Sequence, residues 1–454
     1  MDGRYHCELA WLGGDAVAAG VVLDVAGGVI TRVTTGVTDP PAGAVRLAGL
    51  TLPGLANAHS HAFHRALRGR THRQRGTGTG SFWTWREQMY GVAEALTPES
   101  YLALARAVYG EMVLAGVTAV GEFHYLHHDT GGVRYSDPNA MGRALATAAG
   151  DAGLRLTLLD TCYLHGGFGA EPEGVPRRFS DGTAAAWAER AAALDALAGP
   201  SVRIGAAIHS VRAVDPASME VVAAWAAERG APLHAHVSEQ PAENRDCVAA
   251  HGLTPTALLA RSGALGARFT AVHATHLTDA DIDDLGERRC SVCCCPTTER
   301  DLADGVGPAR RLVDAGARLT LGSDSQAVID LFEEARGVEL HERLHTGVRG
   351  HHRAADLLRA ATADGHASIG WPEVGTLTVG AAADLVTVDL GSVRLAGTDP
   401  DHVVEAVVFA GAAADVHHVV VGGEVVVAGG RHVRLDVAGE LDRTVSALAA
   451  VRTS

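Results

Sequence analysis

The chain contains no lysine; every one of its 38 basic residues is arginine. That absence removes any chemistry that needs a lysine amine, including Schiff bases and carbamylated-lysine bridges between two metal ions. Positive charge is scarce overall. The formal net charge of −15 argues against nucleic acid or an acidic membrane as partner. An anionic substrate would need arginines placed locally. No uncharged apolar run reaches the ~18 residues of a membrane span, and no basic segment followed by an apolar run and a cleavage site opens the chain. Seven cysteines, an odd number in a long chain, suggest reduced thiols and a cytoplasmic location.

What is present is ordinary for a soluble globular protein. The 454 residues suffice for one large core and a smaller domain, at 47% hydrophobic and 20% charged. Residues 1 to about 50 read as short strands, at Glu8–Trp11, Gly20–Val25 and Val29–Val33. Valine-rich runs at Asp384–Asp389, His402–Ala410 and His418–Val427, broken by Gly422-Gly423 and Gly429-Gly430, match them. The expectation is that residues 1–50 and 375–454 join in one small, β-sandwich-like composite domain.

Between these ends, strand-like runs alternate with helical patterns. The runs are Leu52–Ala58, Val117–Phe123, Leu154–Cys162, Val202–Ser210, Pro232–Glu239, Phe269–His276, Cys290–Pro296 and Arg318–Asp324. They are nearly continuous in apolar and small residues, as strands buried on both faces should be. Eight such units predict a (β/α)8 TIM barrel over residues 51–374. Helix signals agree. Thr97-Pro98, Asp215-Pro216 and Thr278 with Asp281 read as helix starts, and Gly116 and Gly230 as stops. Leu102, Ala105, Val108 and Met112 form the expected buried stripe of the first helix. Two connections are long, Gly69–Trp85 and His165–Thr183. The first carries Phe82, Trp83, Trp85 and Arg86 and is expected to cover a substrate.

In such barrels chemistry sits at the C-terminal ends of the strands. Reading those ends gives His59 and His61; His124 and Tyr125, just past Glu122; His209 with Arg212 after it; His234, His236 and Glu239; His273 and His276; and Asp324. His59 and His61 share a strand face, so both can grip one ion. The predicted ligands of one divalent metal ion, Zn2+ with Fe2+ as the alternative, are His59, His61, His236 and Asp324. His234 sits deeper on the same face. Such an ion lowers the pKa of a bound water from 15.7 to about 7. Glu239, three residues past His236, is placed to pass a proton to a nitrogen leaving group. Without lysine, a two-metal site is not expected. One metal and a glutamate point to deamination at a C=N bond. Cys290, Cys293, Cys294 and Cys295 alternate faces and cannot all meet one ion, so they read as buried strand residues.

These motifs resemble the amidohydrolase superfamily: Leu52-Pro53-Gly54 before His59-Ser60-His61, His236-x-x-Glu239, His273, and Gly322-Ser323-Asp324. Gly375-Thr376-Leu377 and Ala383-Asp384-Leu385-Val386 look like its C-terminal β-domain. Within it the chain is most similar to the formimidoylglutamate deiminase family, through HSHAFHRAL (His59–Leu67), SFWTWREQMY (Ser81–Tyr90), HSVRAV (His209–Val214), HVSEQ (His236–Gln240), VHATHL (Val272–Leu277) and CPTTERDL (Cys295–Leu302). The resemblance implies hydrolysis of N-formimino-L-glutamate to N-formyl-L-glutamate and ammonia, in histidine degradation. It implies the same four metal ligands, with Glu239 and His273 acting on the formimino group and Asp324 accepting the water proton. Arg86 and Arg212 would hold the substrate carboxylates, helped by Tyr125, His209 and the residue at position 64. The family pattern more often has glutamine there; this chain has His64, whose charge in water would depend on pH. A homodimer binding a small anionic substrate is the expected assembly. The rival is an aminohydrolase of a heteroaromatic amine such as a guanine-like base.

Overall fold

A computed structural model describes residues 2–72 and 82–451 of the protein. Strands β1 (Gly3–Ala10), β2 (Ala18–Ala26), β3 (Val29–Thr34) and β4 (Val45–Pro53) open the chain. The barrel strands follow as β5 (Leu55–Ser60), β6 (Val117–His124), β7 (Arg155–Cys162), β8 (Val202–Ile208), β9 (Leu233–Val237), β10 (Phe269–His273), β11 (Ser291–Cys294) and β12 (Arg318–Leu321). After them come β13 (Leu385–Val388), β14 (Val416–Val421), β15 (Glu424–Ala428) and β16 (Arg431–His432).

The central eight strands pair in parallel and in chain order from β5 to β12. A bridge between Ser60 and Asp324 closes the ring. Each expected run contributes one of these strands, and helices lie between them, so the fold is a (β/α)8 barrel. The other eight strands form a second sheet in the order β16-β15-β14-β13-β4-β1-β2-β3. The two ends of the chain meet where β13 runs antiparallel to β4, Leu385 opposite Pro53 and Val388 opposite Leu50.

Three local expectations are corrected. The run beginning at Leu52 is two strands, divided at Gly54, where the chain crosses from the composite sheet into the barrel. A Cβ at position 54 would fall 2.2 Å from Thr118 Oγ1, so only glycine fits this crossing. His402–Ala410 is a helix over Val403–Ala410, not a strand. Apart from Glu405 these eight residues are all apolar, too little contrast for either period to stand out. The run His418–Val427 is broken at Gly422-Gly423 as expected, by the turn between β14 and β15. The helix Pro98–Leu114 starts at its Thr97 cap as expected, but its buried stripe uses Tyr101 and Leu104 with Ala105, Val108 and Met112, while Leu102 is half-buried.

Arg155 on β7 and Asp384 before β13 tie the two sheets together. Arg155 donates to both Asp384 oxygens, at 2.9 and 3.0 Å, and Gly422 N–H donates to the same carboxylate at 2.7 Å. The Asp384 side chain is fully buried. Asp384→Ala strands a guanidinium and a main-chain donor, and an unfolding free energy lower by about 3 kcal/mol is expected in urea titration. A loss under about 0.5 kcal/mol would show that this bridge is idle.

No helix among the described residues is long and apolar enough to cross a membrane. All seven cysteines are buried and unbridged.

Candidate active site

Barrel closure assembles the first part of the site. Asp324 N–H donates to His59 O at 3.0 Å, and His61 N–H to Asp324 O at 3.1 Å. Asn57 and Ser323 exchange side-chain bonds beneath, with Asn57 Nδ2 to Ser323 Oγ at 2.6 Å and Ser323 N–H to Asn57 Oδ1 at 2.9 Å. Glycine at 322 makes the approach possible, since a Cβ there would meet His59 Cβ at 2.8 Å and Cys293 Sγ at 3.0 Å. Glu122 at the end of β6 accepts from Ser60 Oγ and from Ala62 N–H, both at 2.6 Å, and so fixes the turn carrying His61. Burial pushes that carboxyl up to about 7.

Around this closure the expected ligands converge. His59 Nε2 and His61 Nε2 lie 3.2 and 3.3 Å from Asp324 Oδ1, and His236 Nε2 lies 3.2 Å from His59 Nε2. His61 and His236 spend their Nδ1 protons on the main-chain carbonyls of Phe123 (3.0 Å) and His209 (2.9 Å). A carbonyl only accepts, so both rings turn a bare Nε2 inward. Burial, with neighbouring imidazoles adding to it for His61 and His236, holds all three rings below the ordinary histidine range. Burial opposes the charge on Asp324, but His59, His273 and His61 outweigh it and hold the carboxyl well below the usual range. Several lone pairs thus face one another with too few protons between them. A divalent cation resolves that arrangement, and imidazoles with a carboxylate suit a zinc-like ion. His273 stands as close: its ring nitrogen, those of His59 and His236, and an Asp324 oxygen lie within 4.8 Å of one another.

On the far side of this cluster, His273 Nε2 is 3.8 Å from Glu239 Oε1 and 3.9 Å from Asp324 Oδ2. Burial works against a charge on His273, but Glu239, Glu299 and Asp324 outweigh it and raise the imidazole well above its ordinary value. Burial raises the Glu239 carboxyl, helped by Asp324 and opposed by His273. Ser238, His273, Ala274, Asp324 and Gln326 hold left-handed backbone, with φ between 43° and 66°. Such strain in non-glycine residues gathers where surrounding structure must aim side chains.

A cavity opens above these groups. Its wall includes every side chain expected to bind substrate: His64, Arg86, Tyr125, His209 and Arg212. Arg86, on the helix Phe82–Ala95, donates to the Tyr90 hydroxyl. His209 packs against Tyr163 with ring centroids 4.7 Å apart. His64 is buried and its Nε2 pairs with the Tyr125 hydroxyl at 3.0 Å. Burial drives His64 down to about 3, so the ring is neutral at physiological pH, and the pH-dependent charge expected of it does not arise.

Other strand-end residues are elsewhere. His124 faces away from the cavity, among Tyr101 and His127. His234 lies below the cluster, bonded to Ser368 O at 3.1 Å and lowered to about 3 by burial. His276 bonds the carbonyl of Asp304 at 2.7 Å. The tip of the connection after β5 and the Phe82 and Trp83 side chains lie outside the described residues. Trp85 lines the cavity beside His64, and the connection after β7 supplies His165, Gly166, Gly167 and Phe179. Sequence reading missed Tyr90, Tyr163 and Phe179. Tyr163 directly follows β7, so the strand-end rule could have found it; Phe179 carries no such signal.

The profile of the amidohydrolase family matches residues 50–426. Formimidoylglutamate deiminase of Pseudomonas aeruginosa is 40% identical over 86% of this chain and 87% of its own. Among solved structures, an amidohydrolase from Brucella melitensis superposes with a TM-score of 0.90 at 36% identity, covering 98% of this chain and all of its own. An adenosine deaminase from Xanthomonas campestris with bound zinc superposes with a TM-score of 0.85 at 25% identity, covering all of this chain and 99% of its own.

Proposed function

The chain belongs to the amidohydrolase family, and on that premise we propose that it hydrolyses the C=N bond of N-formimino-L-glutamate, giving N-formyl-L-glutamate and ammonia as a step of histidine degradation. One observation carries the reading: two guanidinium groups, Arg86 and Arg212, share a cavity with Glu239, His273 and Asp324. A doubly negative substrate entering a chain of net charge −15 needs such a pair, because guanidinium groups bind carboxylates bidentately.

His59, His61, His236 and Asp324 would hold one divalent ion, zinc or ferrous iron, which when bound acidifies water at the site. Arg86 and Arg212 take the two carboxylates, with Tyr125, His209 and neutral His64 completing the wall. That fixes the formimino carbon against Glu239 and His273. Water oxygen bonds to this carbon as Asp324 accepts a water proton. Glu239 delivers its proton to the imino nitrogen and regains one from Asp324 when the products have left, and His273 donates to the oxygen of the tetrahedral intermediate. Closing the C=O bond breaks the C–N bond to the former imino nitrogen, and with the remaining water proton it leaves as ammonia.

The aromatic wall of Trp85, Tyr90, Tyr125, Tyr163 and Phe179 favours a second reading, deamination of a heteroaromatic amine. A neutral ring gives the arginine pair nothing to bind, which ranks this reading second. Metal analysis of the purified protein, coupled to ammonia release from formiminoglutamate and from guanine, separates the two. The proposal expects about one metal ion per chain and release from formiminoglutamate alone. Release from guanine, with none from formiminoglutamate, reverses the ranking.

A further inference from the structure

Glu299 has no part in the chemistry just described, yet its carboxylate is buried against His273. His273 Nδ1 lies 3.4 Å from Glu299 Oε1, and the main-chain N–H of Cys295 donates to that same oxygen at 2.8 Å. The simple account is a carboxylate closing the short turn Pro296–Asp301, for which the Cys295 bond alone would serve. The turn itself is held from outside. Glu334 accepts from Thr297 N–H at 2.9 Å and from its hydroxyl, and Ser325 N–H donates to Thr298 Oγ1 at 3.1 Å. Ser325 adjoins Asp324. One rigid piece of chain therefore fixes both the residue beside Asp324 and the carboxylate behind His273.

We infer that Glu299 is a positioning residue, which keeps the His273 ring turned with Nδ1–H toward Glu299 and Nε2 toward Glu239, Asp324 and the substrate. This rests on the role given to His273 above. Glu299 Oε1 already accepts from Cys295 N–H and is an acceptor, so the ring nitrogen facing it carries the hydrogen. Nε2 is then the only ring atom left for the cavity. The backbone at His273 and Ala274 is left-handed, with φ of 66° and 51°. That conformation is costly for both residues, so contacts from the side are needed to hold the ring. Metal-bound imidazoles are oriented through such a bond to the far nitrogen, whose loss costs about 10- to 100-fold, and the same scale is expected for His273.

The test compares the metal-loaded wild-type protein with Glu299→Gln and Glu299→Ala, each labelled with 15N-histidine. The His273 Nδ1–H proton resonance is assigned by its disappearance in His273→Asn. The expected result is a resonance present in wild type, shifted in Glu299→Gln, whose amide oxygen can still accept, and lost in Glu299→Ala. In parallel, kcat should fall about 10- to 100-fold in Glu299→Ala and less in Glu299→Gln. KM should stay within about twofold and the metal content unchanged. Wild-type kcat with an unaltered resonance in Glu299→Ala overturns the inference, as does a fall that merely tracks lost metal. If Glu299→Ala does not fold, Glu299→Gln decides: a shifted resonance with lower kcat supports the role, and neither change refutes it. Absence of turnover by the wild-type protein would count against the substrate reading alone, since the resonances are read without substrate.

Discussion

Glu239→Gln is expected to retain its metal and lose about 10²- to 10⁴-fold in kcat, the range supplied by one general acid–base group. The carboxyl is buried and stands 3.8 Å from His273 without forming any of the short contacts that join His59 and His61 to Asp324 and His236 to His59. Removing its proton-carrying capacity therefore leaves the ion's ligands intact. Glutamine is nearly the same size, so the cavity wall keeps its shape. Metal analysis and ammonia release on the same preparation read the two effects separately. Near-normal turnover would remove Glu239 from the mechanism, and loss of metal would make it a ligand.

The second large effect is expected at the opposite wall. Arg212→Met should lower kcat/KM on formiminoglutamate by about 10²- to 10³-fold, that is by about 3–4 kcal/mol, the cost of leaving a desolvated charge without its partner. Most of this should appear in KM, because a carboxylate remote from the reacting carbon is held alike before and during the reaction. Among the described residues Arg212 takes part in no ion pair, although it lines the cavity half-buried. It lowers the charge tolerance of its neighbours: burial, then Arg212 and Arg86, hold His209 well below its ordinary value. An unchanged KM would detach Arg212 from the substrate and revive the heteroaromatic reading, for which this substitution should matter little.

Much of the fold could be read before the structure because parallel strands buried on both faces are written as apolar runs, and helix starts carry their own chemistry in Thr97-Pro98 and Asp215-Pro216. Periodicity failed where there was none to use. Val403–Ala410 has only one polar residue, Glu405, and folds as a helix. Cys293 and Cys295 show the alternation working: their sulfurs come to 4.0 Å because they share a face, while Cys294 points elsewhere. His124 shows the limit of the strand-end rule. It ends β6 as His273 ends β10, yet it turns outward, and only its neighbours decide that.

The amino-acid order by itself determined which chemical groups exist and where along each strand they fall: imidazoles two apart at His59 and His61, a carboxylate three past His236, no lysine anywhere. Those are local facts, since strand and helix periods act over a few residues. The folded chain alone decided that Asp324 stands between His59 and His61, that Glu299 backs His273, that Tyr163 and Phe179 wall the cavity, and that His64 is uncharged. Each depends on groups remote in sequence brought together by folding the strands into one barrel. The cost of charge in such a place is set by what surrounds it, which no local pattern records.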